Sequence, residues 1–64
     1  MLSDYLRAYF KQKNISQHEI QRRTGIKQSK ISLSLNGLRK LTAEELINIA
    51  IAFDLDLNKL KEIK

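Results

Sequence analysis

The 64 residues contain no cysteine, no proline, no tryptophan, two glycines and one histidine. Each shortage removes a class of protein. Without cysteine there is no disulfide framework and no thiol nucleophile. His18 alone cannot build a zinc site, which takes four ligands. Two separated glycines, Gly25 and Gly37, do not make a glycine-rich phosphate loop and read instead as punctuation between periodic segments. No run of about 18 apolar residues is present, so nothing is expected to span a membrane. The opening Met1-Leu2-Ser3-Asp4 does not read as a signal peptide, and a cysteine-free chain without one is expected in the cytoplasm. There is no low-complexity stretch, linker or internal repeat.

What remains is one small domain, residues 1–64, 42% apolar and 30% charged, the composition of a folded globular chain. A domain of this size hides only about 60% of the surface its unfolded chain exposes. With disulfides and metal set aside, stability must come from helix packing, dimerisation or both. The net charge of +5 is unevenly placed: residues 1–32 hold seven Lys/Arg against two acids, residues 33–64 five against five. Residues 20–40 carry Arg22, Arg23, Lys27, Lys30, Arg39 and Lys40 with no acid. A basic zone beside a neutral one suits a polyanionic partner, although many small proteins carry a merely solvated basic surface.

Periodicity predicts five short helices. Leu2, Tyr5, Leu6, Tyr9 and Phe10 form one apolar stripe, giving a first helix over about Ser3–Lys13 with Ser3 as its N-cap. An interfacial membrane helix has a similar look, but the helices that follow favour core packing. Ser16-Gln17-His18-Glu19 reads as a capping box with Ile15 and Ile20 as its staple, opening a second helix at Gln17 that stops at Gly25. The third segment, from Lys27 or Gln28 to Asn36, is ambiguous. Ile31-Ser32-Leu33-Ser34-Leu35 alternates, and Asn36-Gly37 is a hairpin turn signal. Leu38-Arg39-Lys40-Leu41 supplies no second strand, so we take helix. Thr42-Ala43-Glu44-Glu45 is a second capping box, stapled by Leu41 and Leu46, before a helix whose Leu46, Ile47, Ile49, Ala50 and Phe53 form a buried face ending near Asp54. Asp56 caps a last helix with Leu57, Leu60 and Ile63, which could be core or a dimer interface. The fold class is all-α, a compact five-helix bundle.

Two short helices joined by a glycine-containing turn make a helix-turn-helix, whose second helix enters the major groove. The stretches Gln17-His18-Glu19-Ile20, Gly25-Ile26-Lys27-Gln28-Ser29, Ile31, Leu35-Asn36-Gly37, Leu46 to Phe53 and Leu57-Asn58-Lys59-Leu60 together resemble the Cro/phage-repressor-type (XRE-like) helix-turn-helix proteins. The resemblance covers nearly the whole chain and implies a sequence-specific double-stranded DNA-binding regulator, a repressor by expectation. It would act as a homodimer on a two-fold-related operator, with no cofactor, no metal and no small-molecule effector evident. Gln17 would contact a phosphate and support Gln28, Gln28 would pair with an adenine edge, Ser29 would reach a second base, and Asn36 would hold a phosphate. Three positions depart from the family pattern. Gln21 replaces a small alanine, and Thr24 and Ser34 stand where aliphatics are usually buried, so looser packing is expected.

The helical wheel agrees independently. Gln28, Ser29, Ser32, Leu33 and Asn36 fall within an arc of about 140°, with Ile31 and Leu35 mostly opposite. Leu33 is the one aliphatic on that arc; a thymine methyl or Leu38 could each be its partner. Lys27, Lys30, Arg39 and Lys40 flank the arc and suit phosphates. Enzymatic chemistry finds little footing. Glu44 and Glu45 are adjacent and point about 100° apart. Asp54-Leu55-Asp56-Leu57-Asn58 begins like a calcium loop, but Lys59 stands in place of its glycine. The competing class is a protein-interaction module of the same fold, an adaptor or antitoxin, which a change at Gln28 would separate from a DNA reader.

Overall fold

A computed structural model describes residues 2–62. It contains α1 (Leu2–Gln12), α2 (Gln17–Thr24), α3 (Gln28–Leu35), α4 (Ala43–Ala52) and α5 (Leu57–Glu62), with no strand among the described residues. The hairpin alternative for residues 31–41 is therefore not taken up. Alternation along residues 31–35 comes from small serines set between buried and exposed aliphatics, a pattern that a short helix also accommodates.

Four of the helices end in the same way, on a residue in the left-handed region. Gly25 (φ 78°) closes α2, its N–H donating to the Gln21 carbonyl at 2.8 Å. Asn14 (φ 58°), Gly37 (φ 76°) and Asp54 (φ 55°) stand just beyond α1, α3 and α4. There the next N–H reaches back five residues: Ile15 to Phe10 at 2.8 Å, Leu38 to Leu33 at 2.9 Å and Leu55 to Ala50 at 2.8 Å. These bonds satisfy carbonyls that the helix ends would otherwise orphan. Both glycines thus do what their spacing predicts, while Asn14 and Asp54 fill the same role without being glycine. Asparagine and aspartate tolerate that conformation best among the other residues.

The N-termini are more varied. Thr42 makes the full capping box: its Oγ1 accepts from the Glu45 N–H at 3.1 Å, and the Glu45 Oε1 accepts from the Thr42 N–H at 2.9 Å. Ser16 makes half of one. Its Oγ accepts from the Glu19 N–H at 3.1 Å, but the Glu19 carboxylate turns instead to Arg22 and Arg23. Ser3 is not the N-cap of α1, which already begins at Leu2. The Asp56 Oδ1 accepts from the Asn58 N–H at 3.0 Å, as expected for the start of α5.

The core is made by Leu6, Phe10, Ile20, Ile26, Ile31, Leu35, Ile49, Ala50, Phe53 and Leu60. Each fully buried aliphatic or aromatic contributes roughly 1.5–3 kcal/mol relative to exposure. Phe10 stands edge-on to Tyr9 and Phe53, with centroids 5.4 and 5.1 Å apart, which joins α1 to the end of α4. One expectation needs correction: Ile47 is exposed, because it lies a third of a turn away from the Leu46–Ile49–Ala50–Phe53 face. Of the two readings left open for the last helix, Leu60 takes the core one, at 2% exposure, and the half-buried Leu57 packs against the same core; Ile63 lies outside the described residues. Tyr5 is also largely exposed, at the edge of the α1 stripe that buries Leu6 and Phe10. Around this core α3 packs on α1 and α2, and α2 also packs on α4.

Candidate DNA-binding surface

α3 buries one edge and offers the other. Ile31, Ser34 and Leu35 are buried; Gln28, Ser29, Lys30, Leu33 and the flanking Lys27 and Asn36 are exposed, and Ser32 is half-buried. The arc expected from the wheel is therefore one continuous outward edge. Asn36 forms the C-terminal end of α3, its N–H donating to the Ser32 carbonyl at 3.1 Å. Leu33 is 44% exposed and Leu38 76% exposed, so Leu38 does not bury it.

The start of α3 is held from outside. Lys27 occupies the N-cap position and has no capping side chain. The Gln28 N–H donates instead to the Gln21 Oε1, on α2, at 2.6 Å. No hydrogen bond joins Gln17 to Gln28 among the described residues; Gln17 is half-buried at the first position of α2, and the residue one turn further along takes the supporting place. Nothing in the α2 periodicity points to Gln21. The only sequence hint lies at Lys27, a residue with no acceptor at an N-cap, which leaves the first N–H groups of α3 to water or to an acceptor from elsewhere without saying which.

The other two departures from the family pattern are also satisfied. The Thr24 hydroxyl donates to the Ile20 carbonyl at 2.7 Å and accepts from the Ile26 N–H at 3.2 Å, which closes the turn between α2 and α3. Ser34 is buried, and its Oγ accepts from Arg39 at 3.1 Å. Among the described residues no buried side-chain nitrogen or oxygen lacks a partner. The polar substitutions thus replace apolar contact with specific bonds rather than leaving gaps in the bonding.

Charge is sorted in a way that counting along the chain does not anticipate. All four arginines pair with carboxylates. Arg7 meets Asp4 at 2.9 Å, Arg22 and Arg23 share Glu19 at 2.6 and 2.7 Å, and Arg39 meets Glu45 at 2.9 Å. Arg23 also lies 5.3 Å over the Phe53 ring. Half of the cations in the acid-free stretch 20–40 are therefore paired with acids from just outside it, Arg22 and Arg23 sharing the single charge of Glu19. Lys27, Lys30 and Lys40 are exposed and have no carboxylate partner among the described residues. Arg39 donates through Nη1 to Ser34 and through Nη2 to Glu45, and its side chain is 24% exposed. It ties the end of α3 to the start of α4, and so fixes the loop that carries Lys40. The Arg39 guanidinium, with help from the Thr42 N–H, holds the Glu45 carboxyl below its ordinary value of 4.5. Arg22, and then Arg23, does the same for Glu19.

His18 is exposed, and no group of three or more His, Cys, Asp or Glu among the described residues is placed to hold a metal. None of the described helices is long and apolar enough to cross a membrane. A bundle in which two eight-residue helices flank a left-handed glycine, the second exposing an acid-free polar edge, defines a DNA-binding helix-turn-helix regulator. A family model described as helix-turn-helix matches residues 6–60, and the chain belongs to that family, in its phage-repressor (XRE) type. This is a family of DNA-binding regulatory domains, not typically enzymatic. No curated protein and no solved structure gave a significant match.

Proposed function

We propose that the protein reads a specific double-stranded DNA sequence by laying the outer edge of α3 in the major groove, and that it represses transcription by occupying its operator. The observation that carries this reading is the outward edge of α3, where amide and hydroxyl groups lie free between three unpaired lysines. Gln28 presents a donor and an acceptor suited to an adenine edge, and Ser29 reaches a neighbouring base. Leu33, with its surface open, meets a thymine methyl; Ser32 lines the groove wall. Lys27, Lys30 and Lys40 take phosphates, as do Gln17 and Asn36 at the two ends of the motif. Arg39 acts here by fixing the loop that carries Lys40.

The described residues of one chain extend 26 Å along their longest axis and present one such edge, whereas half-sites of a two-fold operator lie about 34 Å apart. Two copies are needed to read both, so the acting form is a homodimer. Ile47 and Ile51, one turn apart on the exposed side of α4, offer it an apolar contact. Each copy covers about eight base pairs at 3.4 Å per pair, enough to obstruct a promoter without any effector. The site of action is the cytoplasm.

The test is selection from a random duplex pool, followed by anisotropy titration of the enriched sequence across salt. A two-fold consensus is expected, with log K falling by about 0.9 for each phosphate neutralised. Placed over a promoter, that sequence should lower transcription when the protein is added. Equal, salt-sensitive binding to every duplex would rule out the specific reader, and a monomer in sedimentation with the enriched DNA would rule out the dimer.

A further inference from the structure

An isolated α3 would be a poor helix. Ser29, Ser32 and Ser34 compete for its backbone, and neither end carries a charge that compensates its dipole. Its first N–H groups need acceptors, and Lys27 offers none. The Gln28 N–H is taken by Gln21, seven residues earlier on the preceding helix, at 2.6 Å. The main chain of Gln21 is engaged in the same turn, its carbonyl accepting from the Gly25 N–H at 2.8 Å. One residue therefore bonds both the end of α2 and the start of α3. Among the described residues the Gln21 Nε2 has no hydrogen-bond partner, and it is not buried, so the amide gives its oxygen to α3 and leaves its nitrogen at the surface.

We infer that Gln21 is a positioning residue for base recognition: it acts as the N-cap of the recognition helix from the neighbouring helix and fixes the backbone from which Gln28 reaches its base. The inference rests on the reading of α3 as the groove-binding element. Its physical content is that a side chain reads a base only as well as its own Cα is held. At the first residue of α3 the N–H takes its acceptor from Gln21 and not from the N-cap residue Lys27. Gln21 needs no contact with a base to act in this way.

Two substitutions separate this role from a general structural one. Gln21→Met keeps the length and helix preference and removes the acceptor; Gln21→Glu keeps an acceptor of equal reach. In the free protein, amide hydrogen exchange at Gln28 should quicken about fivefold in Gln21→Met, the scale of a lost cap, and return in Gln21→Glu. In duplex selection, Gln21→Met should lose about fivefold discrimination at the base pair that Gln28→Ala affects, with the other positions and the salt dependence unchanged. Gln21→Glu should recover that discrimination even where its added charge weakens binding overall. Unchanged exchange at Gln28, or a uniform loss of affinity with preference intact, overturns the inference. If the wild-type protein enriches no sequence, the groove-binding reading fails and the positioning role falls with it; the exchange measurement still reports whether the cap exists, so the two failures are told apart.

Discussion

α2 and α3 have the same length, eight residues, lie side by side and both close on a left-handed glycine, yet their starts and their side chains are satisfied in opposite ways. α2 is self-contained: Ser16 caps its start, Gly25 its end, and Glu19 binds both of its arginines. α3 has no side-chain cap of its own, no acid and no paired cation; it is held by Gln21 at one end and by Arg39 at the other. A helix whose own groups are satisfied serves as a brace. One that is held from outside keeps its free groups for something else. On the proposed reading, the contrast in capping and ion pairing marks α3 as the DNA-facing element and α2 as its brace.

The largest effects should fall where the two helices do not differ. Ile20→Ala on α2 and Leu35→Ala on α3 each remove a buried side chain and should cost about 2–5 kcal/mol in urea unfolding. For a domain of this size, at roughly 0.05–0.15 kcal/mol per residue, that is a large part of the total stability. Unequal losses would show that the asymmetry reaches into the core.

Next come the outer edges. Gln28→Ala should cost about 1–3 kcal/mol of base discrimination and leave the unfolding midpoint nearly unchanged. His18→Ala, on the exposed side of α2, should alter neither; an equal effect on binding would erase the distinction between brace and reader. At the far anchor, Glu45→Gln weakens the Arg39 bond and should cost roughly 1–2 kcal/mol. The pH dependence follows from the same pair. The Glu45 carboxyl is held below 4.5 in the folded state, so its stabilising contribution is complete above that value and is lost as pH falls through the lower, folded-state value. Wild-type stability should therefore decline below about pH 4.5, and Glu45→Gln should show less of that decline.

Smaller again, Lys27→Ala and Lys30→Ala should each lower the slope of log K against log salt by about 0.9, with stability changed by no more than about 0.5 kcal/mol. The smallest change belongs to Glu19→Gln, which releases two exposed arginines and should leave the thermal midpoint within scatter. A marked fall there would mean that α2 depends on its ion pairs more than exposed pairs normally allow.

The features legible in the sequence are those set by neighbours along the chain. Thr42 and Glu45 are three residues apart, so their box could be read directly; Gly25 and Gly37 could be placed at helix ends because few other residues suit them. Where two local partners compete, reading stops short: Glu19 is as close in sequence to Ser16 as to Arg22, and the guanidiniums win because they bond charge to charge. Features set by the packing of one element on another were not visible. The bonds from Gln21 to Gln28 and from Arg39 to Ser34 and Glu45 depend on where neighbouring elements come to rest, which periodicity does not encode. Ile47 shows the same limit in apolar form. Its hydrophobicity invited burial, and only the placement of α4 on α2 decided which of adjacent aliphatics faced inward.

The separation of the two edges of α3 bears on how such a protein can change its target. Ile31, Ser34 and Leu35 hold the helix in place, while Gln28, Ser29 and Leu33 take no part in that. With the cap lodged on α2, even the first residue of α3 is free to vary in its side chain without releasing its backbone. If α3 reads DNA as proposed, new target preferences are reachable by single substitutions that leave folding intact, and recognition can drift faster than architecture.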